Sequence, residues 1–425
     1  MNSFWGLNEK LESLSQKALE ISKEAFCGID KITEYNQQKV LSAFIKNRVD
    51  ETDFNNTTGY GYSDKGRDKL DRLTADIFGC ESAIIRAGAL ASGTHTLAVC
   101  LYGILRPGDI MLSVTGAPYD TIHSVIGIDG KGKGQGSLAD YGIEYRQTDL
   151  TPEGEPDYPQ IAKDAVGVKM VYIQRSRGYT LRKSLSVEVI EKICKTVREV
   201  NPDAVIMVDN CYGEFVEEKE PTEVGADIMA GSLIKNAGGG IAPSGGYIAG
   251  REDLVTLCGY RLTAPGLGTE LGATLGQNRS IFMGLFNAPH IVGEALKTAV
   301  FASSLFSLLG FEVTPEPLEK RCDIIQAIRL KNSDNLIAFC QGLQKGAPVD
   351  SYVTPEPWDM PGYDSQVIMA AGAFTSGSSI ELSADAPLRE PYAVWMQGGM
   401  NFHSGKVGVL LAAKELFDRG LLKGF

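Results

Sequence analysis

The chain has 425 residues, 43% of them hydrophobic and 22% charged, with 53 acids against 41 bases for a net charge of −12. That length exceeds what one hydrophobic core usually serves, so two domains are expected. The acidic balance weighs against nucleic acid and anionic membranes as partners. No stretch reaches the roughly 18 uninterrupted apolar residues of a membrane span, and residues 1–10 lack the charged and apolar regions of a secretory signal, so a cytoplasmic protein is expected. The cysteines (Cys27, Cys80, Cys100, Cys194, Cys211, Cys258, Cys322 and Cys340) are scattered, with no C-x-x-C. They read as buried reduced thiols, and no metal site is expected.

In chain order, residues 6–47 read as helix, with Leu7, Leu11, Leu14, Ala18, Ile21 and Ala25 on one face. This arm, residues 1–50, is expected to pack on its own small domain or on a second subunit. Thr57 to Gly66 is a glycine-rich polar loop, and Arg67 to Phe78 an amphipathic helix stopped at Gly79. After the short strand Ile84-Ile85-Arg86, Ser92, Gly93 and Thr94 open an apolar helix. The unpaired amides and dipole of such an end suit a phosphate, although Ser or Thr is also an ordinary cap there. Asp109 to Val114 reads as a strand, and Tyr119 follows it directly after a proline. From that place its ring either lies on the face of a cofactor or simply packs. Gly127, Gly132 and Lys133 match a phosphate-loop spacing, but Gly134 replaces the Ser or Thr that would hold magnesium, so residues 130–136 read as a flexible loop. A strand is expected from Tyr141 to Gln147 and another from Lys169 to Gln174. Gln174, Arg175 and Arg177 follow at the end of the second. The two arginines suit phosphate or carboxylate and could equally pair with Glu214 and Glu217. Ser186 caps a helix running through Val200.

The next stretch organises the rest. Val205 to Val208 is an apolar run ending in Asp209, as a buried parallel strand ends at a ligand crevice. A second run, Asp227 to Leu233, leads to Lys235 and then to Gly238, Gly239 and Gly240. One crossover fits between them, so the strands can be neighbours. Pyridoxal phosphate needs both groups: a lysine to hold its aldehyde as a Schiff base, and a carboxylate to keep the pyridine nitrogen protonated. The glycines leave close approach to the lysine open.

VDNCYGEF followed by GSLIKNAGGGIAPSGGYI resembles the core of fold-type-I pyridoxal-phosphate enzymes, in particular the methionine gamma-lyase-like group often labelled aluminium-resistance proteins, relatives of cystathionine beta-lyase. The resemblance covers roughly Thr57 to Pro289. It implies a mostly parallel seven-stranded sheet in a large domain, residues 51–290, with pyridoxal 5'-phosphate as cofactor. It further implies that Lys235 carries the cofactor and removes the Cα proton, and that Asp209 faces the pyridine nitrogen. The Ser92, Gly93 and Thr94 segment and Ser232 would hold the phosphate. Ile234 stands where many lyases have a threonine. Tyr119 would stack on the cofactor and protonate the departing thiolate. Tyr62 would reach the phosphate of a partner subunit, in a homodimer or homotetramer with shared sites. Asp64 stands where relatives place an arginine, with Lys65 and Arg67 as substitutes.

REDLVTLCGYRLTAPGLGTELGATLG reads as a glycine-rich loop, and Ile291 to Leu309 as a helix bridging to the small α+β domain, residues 291–425. In that domain FEVTPEP, DIIQAIRL, SYVTPEPWD, QVIMAAGAF and SSIELSA suggest an antiparallel sheet with helices on one face. The family places a carboxylate-binding arginine there. Arg389 is the candidate, with Arg321 and Arg329 in the same domain and Arg177 in the large one. The expected activity is a carbon-sulfur elimination on a sulfur-containing amino acid, giving thiol, ammonia and a 2-oxo acid. An aminotransferase, a threonine-aldolase-type enzyme and a non-catalytic pyridoxal-phosphate binder are the alternatives.

Overall fold

Short runs rich in Val, Ile, Met and Ala build a seven-stranded sheet from β1 (Ser82–Arg86), β2 (Ile110–Ser113), β3 (Glu144–Gln147), β4 (Met170–Gln174), β5 (Val205–Asp209), β6 (Ile228–Ser232) and β7 (Gly246–Gly250). The order is β1-β7-β6-β5-β4-β2-β3. The computed structural model that shows this describes residues 2–360 and 365–422. The β3-β2-β4-β5-β6 pairs are parallel, and β7 runs antiparallel to β6 and β1. Every residue of β4, β5, β6 and β7 is buried, which explains why these strands read as continuous apolar or small-residue runs without alternation. Helices Lys65–Ile77, Gly93–Ile104, Val187–Val200 and Glu252–Leu262 accompany this sheet.

A second sheet holds β8 (Glu312–Thr314), β9 (Gln326–Arg329), β10 (Val367–Ala370), β11 (Ser383–Pro387) and β12 (Ala393–Gln397), in the order β10-β11-β12-β9-β8 and antiparallel throughout. The architecture is the expected α/β fold with a smaller α+β sheet. By contact density the chain divides into Asn36–Ala288 and Met1–Tyr35 with Pro289–Phe425. Phe301, Phe306, Phe339, Ile328, Val394 and Met396 form the core of the latter unit, joined by Leu7, Leu11 and Ala18.

Several elements differ from the sequence reading. Helix Glu9–Lys46 buries Leu11, Ser15, Ala18 and Ser22, whereas Ile21 is exposed. Small hydroxyls continue that face where a hydropathy pattern sees none: the Ser22 hydroxyl donates to the Ala18 carbonyl. Residues 252–262, expected as loop, form a helix because Leu254, Val255 and Cys258 share one buried side. The helix expected from Ile291 starts at Asn278 and passes through Pro289. The strand expected from Tyr141 begins only at Glu144, since residues 139–141 make a tight turn ending at Gly142 with φ 76°. SYVTPEPWD contributes only the bridge between Trp358 and Val367, while β12 supplies a strand that the turn pattern hid. Cys27 is exposed, Cys80 is half-buried, and the other cysteines are buried. Helix Asn278–Leu308 is long and apolar enough to cross a membrane, yet 72% of its most apolar window is buried within the protein, as in a core helix.

Candidate active site

The carboxyl ends of β4, β5 and β6 lie side by side, with Gln174 opposite Asp209 and Asp209 opposite Ala230. Asp209 is nearly buried. One of its oxygens accepts the Cys211 amide at 3.1 Å, and the other accepts the Tyr172 hydroxyl at 3.4 Å. These bonds fix the carboxylate at the strand end. Past Ser232, Leu233 and Ile234 turn the chain to Lys235, and Gly238 folds back so closely that a Cβ there would lie 1.7 Å from the Leu233 carbonyl. The glycines behind the lysine are thus needed for this reversal as well as for access.

The Lys235 ammonium lies 4.1 Å from the centroid of the Tyr212 ring. Burial works against its charge, but Cys211, Tyr212, Asp209 and Tyr119 together hold its pKa above the ordinary lysine value. These four groups come from two segments, Asp209, Cys211 and Tyr212 from the end of β5 and the run after it, and Tyr119 from the turn after β2. Burial, helped by Asp209, pushes the Cys211 thiol well up against the pull of Lys235. The Tyr119 backbone N–H donates to the Gln174 side-chain oxygen at 2.6 Å, and its ring meets Tyr179 edge-on at 5.6 Å.

At the other side of the strand end, Ser92 caps helix Gly93–Ile104 by accepting the His95 amide at 3.1 Å. The first amides of that helix, those of Gly93 and Thr94, have no partner within the helix itself. A Cβ on Gly93 would sit 3.2 Å from the Ser232 Cβ and 4.0 Å from the Cys211 sulfur, so the glycine brings the helix end against the end of β6. The Thr94 and Thr121 hydroxyls are 2.9 Å apart. Small residues, open amides and hydroxyls make a cup for an anion at the end of the strand that leads to Lys235.

Of the two readings of the arginines after β4, Arg175 takes the ion-pair one. Arg175 is fully buried and bonds to Glu217 at 2.9 Å, to Asn210 at 2.8 Å and to Glu220 at 3.5 Å. It braces the segment after β5, and Glu214 instead accepts the Tyr247 hydroxyl at 2.8 Å. Arg177 is also buried. Tyr62 is 56% exposed beside Tyr60 in the loop before helix Lys65–Ile77. Asp64 caps that helix by accepting the Arg67 amide, and also accepts the Thr57 and Thr274 hydroxyls. Of the substitutes beside it, Lys65 pairs with Asp50 at 2.6 Å, and Arg67 donates to the Gly61 and Gly272 carbonyls. Arg67 is thereby committed to holding the loop. In the other unit Arg389 is exposed after β11, Arg329 pairs with Glu312 at 2.8 Å, and buried Arg321 donates to Gln326 at 2.5 Å. Tyr212 escaped the sequence reading, although it stands three residues after the acid and just before a glycine. Its backbone is left-handed, with φ 71°, a conformation that a bulky side chain rarely adopts outside a constrained site.

A mostly parallel sheet that delivers a lysine, an acid and a helix N-terminus to one edge is the arrangement of a fold-type-I pyridoxal-phosphate enzyme. The chain belongs to the methionine gamma-lyase family, whose model matches residues 11–417. It is 44% identical over 417 residues to the uncharacterized protein YnbB of Bacillus subtilis, with 97% of this chain and 98% of that protein aligned. It is 50% identical to a solved carbon-sulfur lyase involved in aluminum resistance from Clostridium novyi NT, with a TM-score of 0.94 over 98% of each chain. The pyridoxal-5'-phosphate-dependent protein YhfS from Escherichia coli shares the fold at 14% identity, with a TM-score of 0.60 over 92% of this chain and 97% of that one. Family and fold imply pyridoxal phosphate. The residues present fit it: the Gly93 cup is one that a side chain would fill, and the amine of Lys235 and the carboxyl group of Asp209 stand at the ends of neighbouring strands.

Proposed function

We propose that the protein is a pyridoxal-phosphate-dependent carbon-sulfur lyase that eliminates a thiol from a sulfur-containing amino acid, leaving ammonia and a 2-oxo acid. The observation that carries this reading is the delivery of Asp209 and Lys235 by the ends of the paired strands β5 and β6, with the Tyr212 ring 4.1 Å from the amine, in a chain of the methionine gamma-lyase family. Bound there, pyridoxal phosphate supplies an electron sink for the negative charge that develops at the substrate Cα.

The chain's own residues would do the rest. The Gly93 and Thr94 amides and the Ser232 hydroxyl bind the phosphate, and Asp209 keeps a proton on the ring nitrogen. Lys235 Nζ would hold the cofactor and would be the base that takes the Cα proton. Tyr119 gives its hydroxyl proton to the departing sulfur, oriented by the Gln174 bond and the Tyr179 ring. Arg177 and Arg389 are the candidates for the substrate carboxylate. Tyr62 completes the phosphate site of a partner in a homodimer or homotetramer, and the setting is the cytoplasm, with no nucleic-acid or membrane partner.

The test is a panel of thiol and thioether amino acids with all products identified. Thiol, ammonia and a 2-oxo acid in equal amounts are expected. A 2-oxo acid with aminated cofactor and no thiol would make the protein an aminotransferase, and release of an aldehyde would make it an aldolase. A bound chromophore indifferent to every amino acid would make it a binding protein.

A further inference from the structure

Bonded to the segment that carries the lysine is an acid with no part in the proposed reaction. Glu214 is fully buried in the segment after β5. One of its oxygens accepts the Tyr247 hydroxyl from β7 at 2.8 Å, and the other is buried with no hydrogen-bond partner. Space for the pair comes from Gly231 on β6, directly opposite Tyr247: a Cβ there would lie 2.4 Å from the Glu214 oxygen and 2.8 Å from the Tyr247 hydroxyl. Gly231 is four residues before Lys235. The acid is also tied to the residue after the lysine, because the Asn236 side-chain N–H donates to the Glu214 carbonyl at 3.0 Å. Asn210, next to Asp209, donates to the Tyr247 hydroxyl at 3.3 Å. Glu214 therefore connects, from behind, the two segments that hold the lysine and the acid of the site.

We propose that Glu214 is a positioning residue for Lys235: the acid is held neutral in this pocket, and its ionisation and the positive charge on the lysine nitrogen favour each other. An unpartnered carboxylate oxygen in a buried pocket is unfavourable, so the neutral form is the stable one there. The groups facing it agree. Burial, reinforced by Glu220, raises the Glu214 carboxyl to about 8, against the pull of its own backbone N–H, of Tyr247 and of Lys235. Arg175 is occupied by Glu217 and Glu220, and the Tyr247 phenol is itself pushed well up by burial and Glu214. Neutral, Glu214 lets the lysine nitrogen give up its proton and serve as a base. Ionised, it adds a negative charge that keeps that nitrogen protonated.

The coupling must be reciprocal. Difference infrared spectra of the full chain, without and with added pyridoxal phosphate, should show a protonated carboxyl band at neutral pH that is absent in Glu214→Gln. In the cofactor-free protein that band should disappear at higher pH in Lys235→Ala than in the wild type, by roughly half a unit to one unit, since a positive charge favouring ionisation is gone. In the coloured holoenzyme the absorbance titration of the lysine-bound cofactor should move to lower pH in Glu214→Gln. No band difference at neutral pH, or identical titrations with and without Lys235, would overturn the proposal. Should Glu214→Gln fail to fold, Tyr247→Phe should carry the band to higher pH by removing a bond that favours ionisation, and an unmoved band would be the negative result. The inference rests on the proposed role of Lys235. A protein that binds no cofactor there would defeat that role, while the cofactor-free infrared arm would still decide whether Glu214 and Lys235 are coupled.

Discussion

At the scale of single residues, the site separates a group that sets charge from a group that moves a proton. Asp209 is held through both oxygens, so Asp209→Asn should keep the fold and the cofactor but lose about 3 kcal/mol or more of transition-state stabilisation, because an amide cannot hold a proton on the ring nitrogen. Turnover by the purified, coloured variant checks this, and near-normal rates would make the acid structural. Tyr119 has a different expected signature. Its backbone and ring are fixed by Gln174 and Tyr179, so Tyr119→Phe should leave the ring in place and remove only the hydroxyl. Thiol release should then slow more than exchange of the Cα proton with deuterated solvent. Equal slowing of both would put Tyr119 in binding or in the first proton transfer.

At the scale of elements, what was legible in the sequence followed from burial. β4, β5 and β6 are covered on both faces, so their apolar runs, and the polar residues just past them, announced both the sheet and Asp209 and Lys235. Ser92 and Gly93 were legible because a cap has a local signature. The rest depended on distant contacts. Nothing local says that Arg175 meets Glu220, that Gly231 makes room for Glu214, or that Tyr212 turns left-handed beneath the lysine. Asp64 was read against a family pattern, whereas its work is to fasten the loop carrying Tyr62 to helix Lys65–Ile77 and to Thr274. Burial opposes its charge, but the bonds from Thr57, the Arg67 amide, Thr274 and Asn278 outweigh it and hold the carboxyl below its ordinary value. Its contribution is therefore present above the unfolded carboxylate range and fades as pH falls through the lower folded value. Asp64→Ala should destabilise by about 2–4 kcal/mol from the lost cap and the unpaired hydroxyls. Thermal melts at neutral pH should show the loss, and the gap from the wild type should narrow in acid. A constant gap at all pH values would mean that the charge of Asp64 is irrelevant.

At the scale of the whole molecule, the loop before helix Lys65–Ile77 is hydrogen-bonded in place yet displayed. The Gly272 amide donates to the Tyr60 carbonyl and the Leu275 amide to the Thr57 carbonyl, while Arg67 holds Gly61, so the loop is pinned along its length. Even so, Tyr60 is 73% and Tyr62 56% exposed, and Leu275, tied to the same loop, is exposed as well. Ordered aromatic rings left in water are what a subunit interface uses, and the proposed function assigns Tyr62 to a neighbour's phosphate. That assignment can be tested without a structure of the assembly. If each site takes Lys235 from one subunit and Tyr62 from its partner, Lys235→Ala and Tyr62→Ala homodimers should both be inactive. Each mixed dimer would then hold one site with both residues and one with neither. Equal mixing makes about half of the dimers mixed, so about a quarter of the sites should recover. Refolding the two variants together, with subunit exchange verified by a mass tag, should therefore restore about a quarter of wild-type activity. No recovery after demonstrated exchange would place Tyr62 outside the shared site, and an already active Tyr62→Ala protein would remove it from phosphate binding altogether.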